Sequence, residues 1–243
     1  MDHFNYRDGT LCAEDVPLTR IAAEVGTPVY VYSAATLARH FGLFRQALDW
    51  TDHLVCFAVK ANSNLAVLKL LGDLGAGMDV VSGGEYTRAR VAGVPGERIV
   101  FSGVGKTLAE MRQAIEGGIR QVNIESEPEM RALSDLAVTM GAEVPVAIRV
   151  NPDVDPETQP YIATGLKKSK FGVDISRALA LYRVAAGLPN LNAIGLHCHI
   201  GREVQGAHTD DHHLEKGYGT ANDGYPQRPE TSRPGSMLVF SDQ

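Results

Sequence analysis

A strand-sized apolar run, a turn and an amphipathic helix recur along this chain from Val55 onward, and that repeat restricts its fold more than any other feature. The runs are Val55 to Val59, Met78 to Val81, Ile99 to Phe101, Val122 to Ile124, Val146 to Val150 and Ile194 to His199. The first five begin at intervals of roughly 21 to 25 residues, the length of one βα unit with short loops. Such alternation builds a parallel sheet, because parallel neighbours need a crossover that a helix supplies. Thr107-Leu-Ala-Glu110 and Ser126-Glu-Pro-Glu129 match the capping-box pattern at two helix starts, each leading into apolar residues at helical spacing. Upstream, Leu18, Ile21 and Val25 predict a short helix that Gly26 and Pro28 stop, and Val29 to Ser33 predicts a strand. Leu37, Phe41, Phe44 and Leu48 predict a further amphipathic helix over 36–48.

Polar residues sit within or just past these strands: Lys60, Asp79, Glu125, Arg149, His197 and His199. In a βα barrel the carboxyl ends form the catalytic face, whereas a doubly wound sheet gathers such residues only at its switch point. The fold class expected is therefore α/β, an incomplete TIM-type (β/α) barrel of about six parallel strands. Eight would close it.

With 243 residues, 44% apolar and 21% charged, the chain can bury one sizeable core. The net charge of −6, with no long Lys/Arg run, argues against nucleic acid or anionic membranes as partners. The polar start Met1 to Asp8 and the lack of a spanning apolar run lead to a cytoplasmic expectation. Cys12, Cys56 and Cys198 are too scattered for a disulfide framework or metal knuckle. Residues 202–243 differ in kind, with few apolar residues, His208, His212 and His213 crowded together, and Gly/Pro-rich sequence from Asn222 to Ser236. An irregular tail is expected there, and its histidines are read as solvated rather than as a metal site. Three segments follow: 1–33, a helix and strand; 34–201, the truncated barrel; and 202–243, the tail.

Lys60 ends the run Phe57-Ala-Val-Lys60-Ala-Asn62. Burial there would lower its pKa and free the amine for a Schiff base, although most strand-end lysines merely reach solvent. This run, with Gly77-Met-Asp79-Val-Val-Ser82-Gly-Gly-Glu85, resembles the barrel domain of the group IV (alanine-racemase-like) pyridoxal-phosphate decarboxylases. Ile21 to Tyr32, Phe101 to Thr107, Arg149-Val-Asn-Pro152, Thr164-Gly165 with Ser169-Lys-Phe-Gly172, and His197-Cys-His-Ile-Gly201 resemble its diaminopimelate decarboxylase branch in order and spacing. The resemblance covers most of residues 5–201 and implies an N-terminal portion of such an enzyme.

That resemblance implies pyridoxal 5'-phosphate as cofactor, a small amino-acid substrate and conversion of meso-2,6-diaminopimelate to L-lysine and carbon dioxide. It makes Lys60 the Schiff-base lysine and His199 the imidazole stacked on the cofactor ring, and it places Asp79, Glu85 and Arg149 in the surrounding polar network. Each has a simpler reading: a hydrogen-bonded core histidine for His199, helix capping for Asp79 and Glu85, and a structural ion pair for Arg149. His197 has no assigned role. Gly83-Gly84 and Gly103-Val-Gly105 are common βα-turn sequences and receive no phosphate contact. The family implies a homodimer, but the regions that complete its interface fall outside the resemblance.

After Gly201 the family has Ser and this chain Arg202, and the resemblance ends. The Gly-rich phosphate loop, the Glu-Pro-Gly-Arg segment and the C-terminal β-domain are then missing, so impaired activity is expected. A catalytically silent cofactor-binding or regulatory relative is the alternative.

Overall fold

The computed structural model describes residues 3–151 and 171–199. Six strands form one parallel path: β4 (Cys56–Ala58), β5 (Gly77–Val80), β6 (Ile99–Phe101), β7 (Gln121–Ile124), β8 (Val144–Asn151) and β10 (Leu191–Cys198), in the spatial order β10-β8-β7-β6-β5-β4. A two-residue strand, β9 (Val173–Asp174), pairs with the end of β8 and has no counterpart in the sequence reading. Among the described residues the sheet is open, with β4 and β10 at its two ends.

Helices α3 (Leu65–Asp73), α4 (Gly83–Val91), α5 (Leu108–Glu116), α6 (Glu127–Met140) and α7 (Ile175–Gly187) make the crossovers. Side chains at their starts capture orphan amide donors: Asn64, Ser82, Thr107, Ser126 and Asp174 each accept from a first-turn N–H. Thr107 and Glu110 complete a reciprocal capping box. Ser126 makes only half of one, because Glu129 Oε2 accepts from Glu125 N instead, 2.9 Å away.

The two faces of the sheet differ. Met78, Val80, Ile99, Phe101, Val122, Ile124, Val146, Ile148 and Val150 belong to the apolar core that also takes in Leu68, Met111, Met130, Leu133 and Leu181 from the helices. The alternating residues Ala58, Asp79, Val100, Asn123, Ala147 and Arg149 are buried outside that core, on the opposite, inward face. In β10 a bulge between Ala193 and Gly195 lets Ala193, Leu196 and Cys198 all pack on the helix side. It leaves His197 on the inward parity, beside its register partner Arg149.

The N-terminal region departs from the sequence reading. Strands β1 (Phe4–Arg7), β2 (Thr10–Ala13) and β3 (Val16–Pro17) form a small antiparallel sheet. Asp8 (φ 48°) and Gly9 (φ 75°) make the β1–β2 turn, both in the left-handed region that a two-residue hairpin requires. Helix α1 (Leu18–Val25) forms as expected, and α2 runs over Ala34–Ala47. Val29 to Ser33, however, is not a strand. It pairs with no strand of the described residues, and Val29, Tyr30 and Tyr32 are exposed, so β propensity acts there without a ladder to join.

Glu14 latches this sheet onto α2. Its Oε1 accepts from Ala35 N at 2.8 Å and Ser33 Oγ at 2.7 Å, and these bonds, the Ala35 amide foremost, hold its pKa below the ordinary value. The latch is therefore complete above the unfolded pKa of 4.5 and weakens as pH falls through the lower folded value. Hydrogen exchange at the Ala35 amide is expected to speed up with acid in the parent beyond its intrinsic dependence, and to lose that extra dependence in Glu14→Gln.

Candidate active site

Carboxyl ends of the strands deliver the polar residues to one rim. Asp79, the third residue of β5, is buried on the inward face, where Ser102 Oγ donates to its Oδ1 at 2.5 Å. Burial pushes its pKa up to about 6, against the favourable influence of the Ser102 hydroxyl, Lys60 and Arg149; Glu85 adds to the rise. Asp79 lies mid-strand, which corrects its capping reading. Glu85 does sit in the first turn of α4, where its Oε2 accepts from Val81 N at 2.8 Å.

Glu125, just past β7, joins three strand-end segments. Its Oε1 accepts from Gly103 N and from an Arg149 guanidinium nitrogen, each at 3.0 Å, and its Oε2 accepts from Gly172 N at 2.9 Å. The Glu125–Arg149 pair is almost wholly buried. Arg149 also lies over the Phe171 ring, 4.9 Å from guanidinium carbon to centroid. Gly172 has φ +66°, and a Cβ there would come within 2.9 Å of Arg149 Cγ and the Arg149 carbonyl oxygen, so a glycine is needed at this approach. The structural ion pair weighed for Arg149 is thus present, yet Arg149 Nε is buried without a partner among the described residues.

Lys60 corrects the sequence reading in one respect. It follows β4 on a 3-10 turn spanning Val59–Ala61 and is exposed rather than buried. It lines an open cleft of about 350 Å³ with Ser63, Ser82, Gly84, Glu85 and Arg88. It is near enough to influence the ionisation of both Asp79 and His197. His197 has its pKa lowered to about 3, by burial first and then by Arg149, His199, Lys106 and Lys60, which keeps the imidazole neutral at ordinary pH. Its Nδ1 is buried without a partner among the described residues. His199, half-buried, is the last described residue. The ring of mutual influences gathers Lys60, Asp79, Glu85, Arg149, His197 and His199 at one end of the sheet.

A family model described as the pyridoxal-binding domain of pyridoxal-dependent decarboxylases matches residues 34–224. The chain belongs to the pyridoxal-dependent decarboxylases. The match runs past Gly201, where the sequence reading ended its barrel segment, into residues outside those described. Curated diaminopimelate decarboxylases from Pseudomonas fluorescens and Vibrio cholerae are 53% and 51% identical over 205 residues, which is 84% of this chain and 49% of each relative. The chain thus spans about half the length of the curated relatives it matches. A crystal structure from Aquifex aeolicus superposes with a TM-score of 0.77 at 43% identity, covering 88% of this chain and 49% of that one. A Helicobacter pylori diaminopimelate decarboxylase complexed with L-lysine gives 0.73 at 39% identity, over 76% and 47%.

For this decarboxylase-family chain the sequence reading gave no role to Ser102, which it held only as part of the Phe101 to Thr107 motif, or to Asn123, and it noted Glu125 only as a strand end. Alternation was the available signal, since all three share the inward parity of their strands with the residues it did choose. Lys106, in the same motif, likewise has no role in that reading: its buried ammonium donates to Gly103 O, Asn123 O and Glu129 Oε1 at 2.6, 2.8 and 2.6 Å. Ser169, Lys170, Thr164, Gly165 and the tail histidines lie outside the described residues, among which there is no cluster of three metal-ligating side chains. Nor is any helix among them long and apolar enough to cross a membrane.

The raised pKa of Asp79 has a stability consequence. Ionisation is harder in the folded chain than in the unfolded one, so Asp79 lowers stability progressively as pH rises from about 4 to about 6. Asp79→Asn keeps an acceptor for Ser102 without the charge. It is expected to be about 2–3 kcal/mol more stable than the parent at pH 7.5, an advantage gone by pH 4, as read from urea midpoints at the two pH values.

Proposed function

We propose that this chain is the pyridoxal-phosphate-binding part of a diaminopimelate decarboxylase, acting on meso-2,6-diaminopimelate to yield L-lysine. One observation carries the reading: Lys60, Asp79, Arg149 and His197, from four different strands or their ends, converge on one rim in a chain half-identical to curated diaminopimelate decarboxylases. The residues fit a pyridoxal group. An exposed amine on Lys60 is open to its aldehyde, while His197 Nδ1 and Arg149 Nε are buried polar atoms that lack partners among the described residues. When bound, the group supplies the sink for the electron pair released as carbon dioxide leaves.

The chain's own residues do the rest. Lys60 would hold the cofactor through its amine, and His199 would offer it an imidazole. Arg149, fixed by Glu125 and Phe171, keeps a positive charge at the rim. Neutral His197 can accept or donate a hydrogen bond without adding charge. Asp79 sets a negative charge near Lys60, and Glu85 adds a second carboxylate beside it.

Incubation with pyridoxal phosphate, borohydride reduction and peptide mapping test the binding, with the label expected on Lys60. Carbon dioxide release from meso-diaminopimelate tests the reaction. Label without carbon dioxide supports the silent binder instead, and no label at Lys60 defeats the cofactor reading.

A further inference from the structure

Four buried polar side chains stand in single file on the inward face. Gln121 Nε2 donates to Asn123 Oδ1 at 2.6 Å, Asn123 Nδ2 donates to Ser102 Oγ at 2.9 Å, and Ser102 Oγ donates to Asp79 Oδ1 at 2.5 Å. None of the four is more than 6% exposed, so bulk solvent does not compete for these hydrogen bonds.

The file has a direction. A hydroxyl carries one proton, and Asn123 occupies the Ser102 oxygen as a donor, so that proton is left for Asp79. Every donor from β7 across the end of β6 to β5 therefore points toward the carboxylate. Packing alone does not ask for this, since the inward positions Ala58, Val100 and Ala147 are apolar and equally buried.

We infer that Ser102 and Asn123 are positioning residues that hold Asp79 as a carboxylate, a fixed counter-charge for the amine of Lys60. The groups that face Asp79 are Cys56 on β4, Lys60 past its end, Glu85 on α4 and Arg149 on β8. Burial and Glu85 oppose the charged form; Ser102, Lys60 and Arg149 favour it, the Ser102 hydrogen bond most strongly. Asn123 acts at one remove, by fixing which way the hydroxyl turns. The catalytic meaning of this arrangement rests on the cofactor reading, but the arrangement itself does not.

Carboxyl carbon-13 NMR on the aspartate-labelled 243-residue chain, without cofactor, tests it, with Asp79→Asn identifying the signal. Ser102→Ala is expected to raise the proton affinity of Asp79 about tenfold, whereas Ser102→Thr, which keeps the hydroxyl, stays within about twofold of the parent. Asn123→Ala is expected to raise it roughly threefold alone and not at all in the Ser102→Ala background, because its influence passes through the hydroxyl. Circular dichroism checks that each variant is folded, and if Ser102→Ala is not, Asn123→Ala decides alone. An unmoved Asp79 titration in the folded variants, or a rise from Asn123→Ala that persists without the hydroxyl, overturns the inference. Failure of the cofactor reading shows separately, as missing label at Lys60.

Discussion

With Lys60 replaced by alanine, borohydride is expected to fix no pyridoxal phosphate at the rim, and any decarboxylation the parent shows falls by on the order of a thousandfold or more. The size of the effect follows from the lack of a substitute among the described residues. Lys106 has all three ammonium protons engaged by Gly103, Asn123 and Glu129 and its side chain is fully buried. Lys69 is on α3, paired with Asp73 at 2.9 Å. Only Lys60, of these three, combines exposure with an electrostatic influence on Asp79 and His197. Mass spectrometry of the reduced protein reads the outcome, and a variant labelled at this rim as fully as the parent would remove Lys60 from the site.

Glu125→Ala is expected to cost about 3–5 kcal/mol of stability, because it strands a buried guanidinium without its partner. The loss is more than one ion pair. Gly103 N and Gly172 N lose their acceptor as well, so the segments after β6 and before β9 come free of β7 together. If charge desolvation dominates, removing Arg149 too must return part of the loss. Glu125→Ala with Arg149→Met is thus expected to be less destabilised than the sum of the single variants by at least about 1 kcal/mol. Urea unfolding of the four chains closes the cycle, and a Glu125→Ala chain within about 1 kcal/mol of the parent would show that solvent reaches Arg149 readily.

Parts of this site were open to reading before any coordinates. Asp79 and Arg149 stand out because a charge inside an otherwise apolar strand needs a reason. Ser102 and Asn123 do not stand out, since small polar residues at strand ends are common and their meaning lies in partners 23 and 21 residues away in the chain. The N-terminal hairpin carried a usable signal in Asp8-Gly9, flanked by Tyr6 and Leu11 as register partners, and it went unread beside the stronger βα repeat. Val29 to Ser33 misled for the opposite reason: its composition is that of a strand, but composition supplies no neighbour to bond with.

The order of the six parallel strands and the helices between them was settled by sequence, because apolar spacing and capping side chains act within a few residues of each other. The motif around Lys60 likewise announced the family. Only the assembled sheet decided that Lys60 stands in solvent, that Arg149 meets Glu125, and that a bulge after Ala193 turns His197 inward beside Arg149. Exposure, pairing and register depend on which strand lies alongside, and that is a property of residues far apart in the chain.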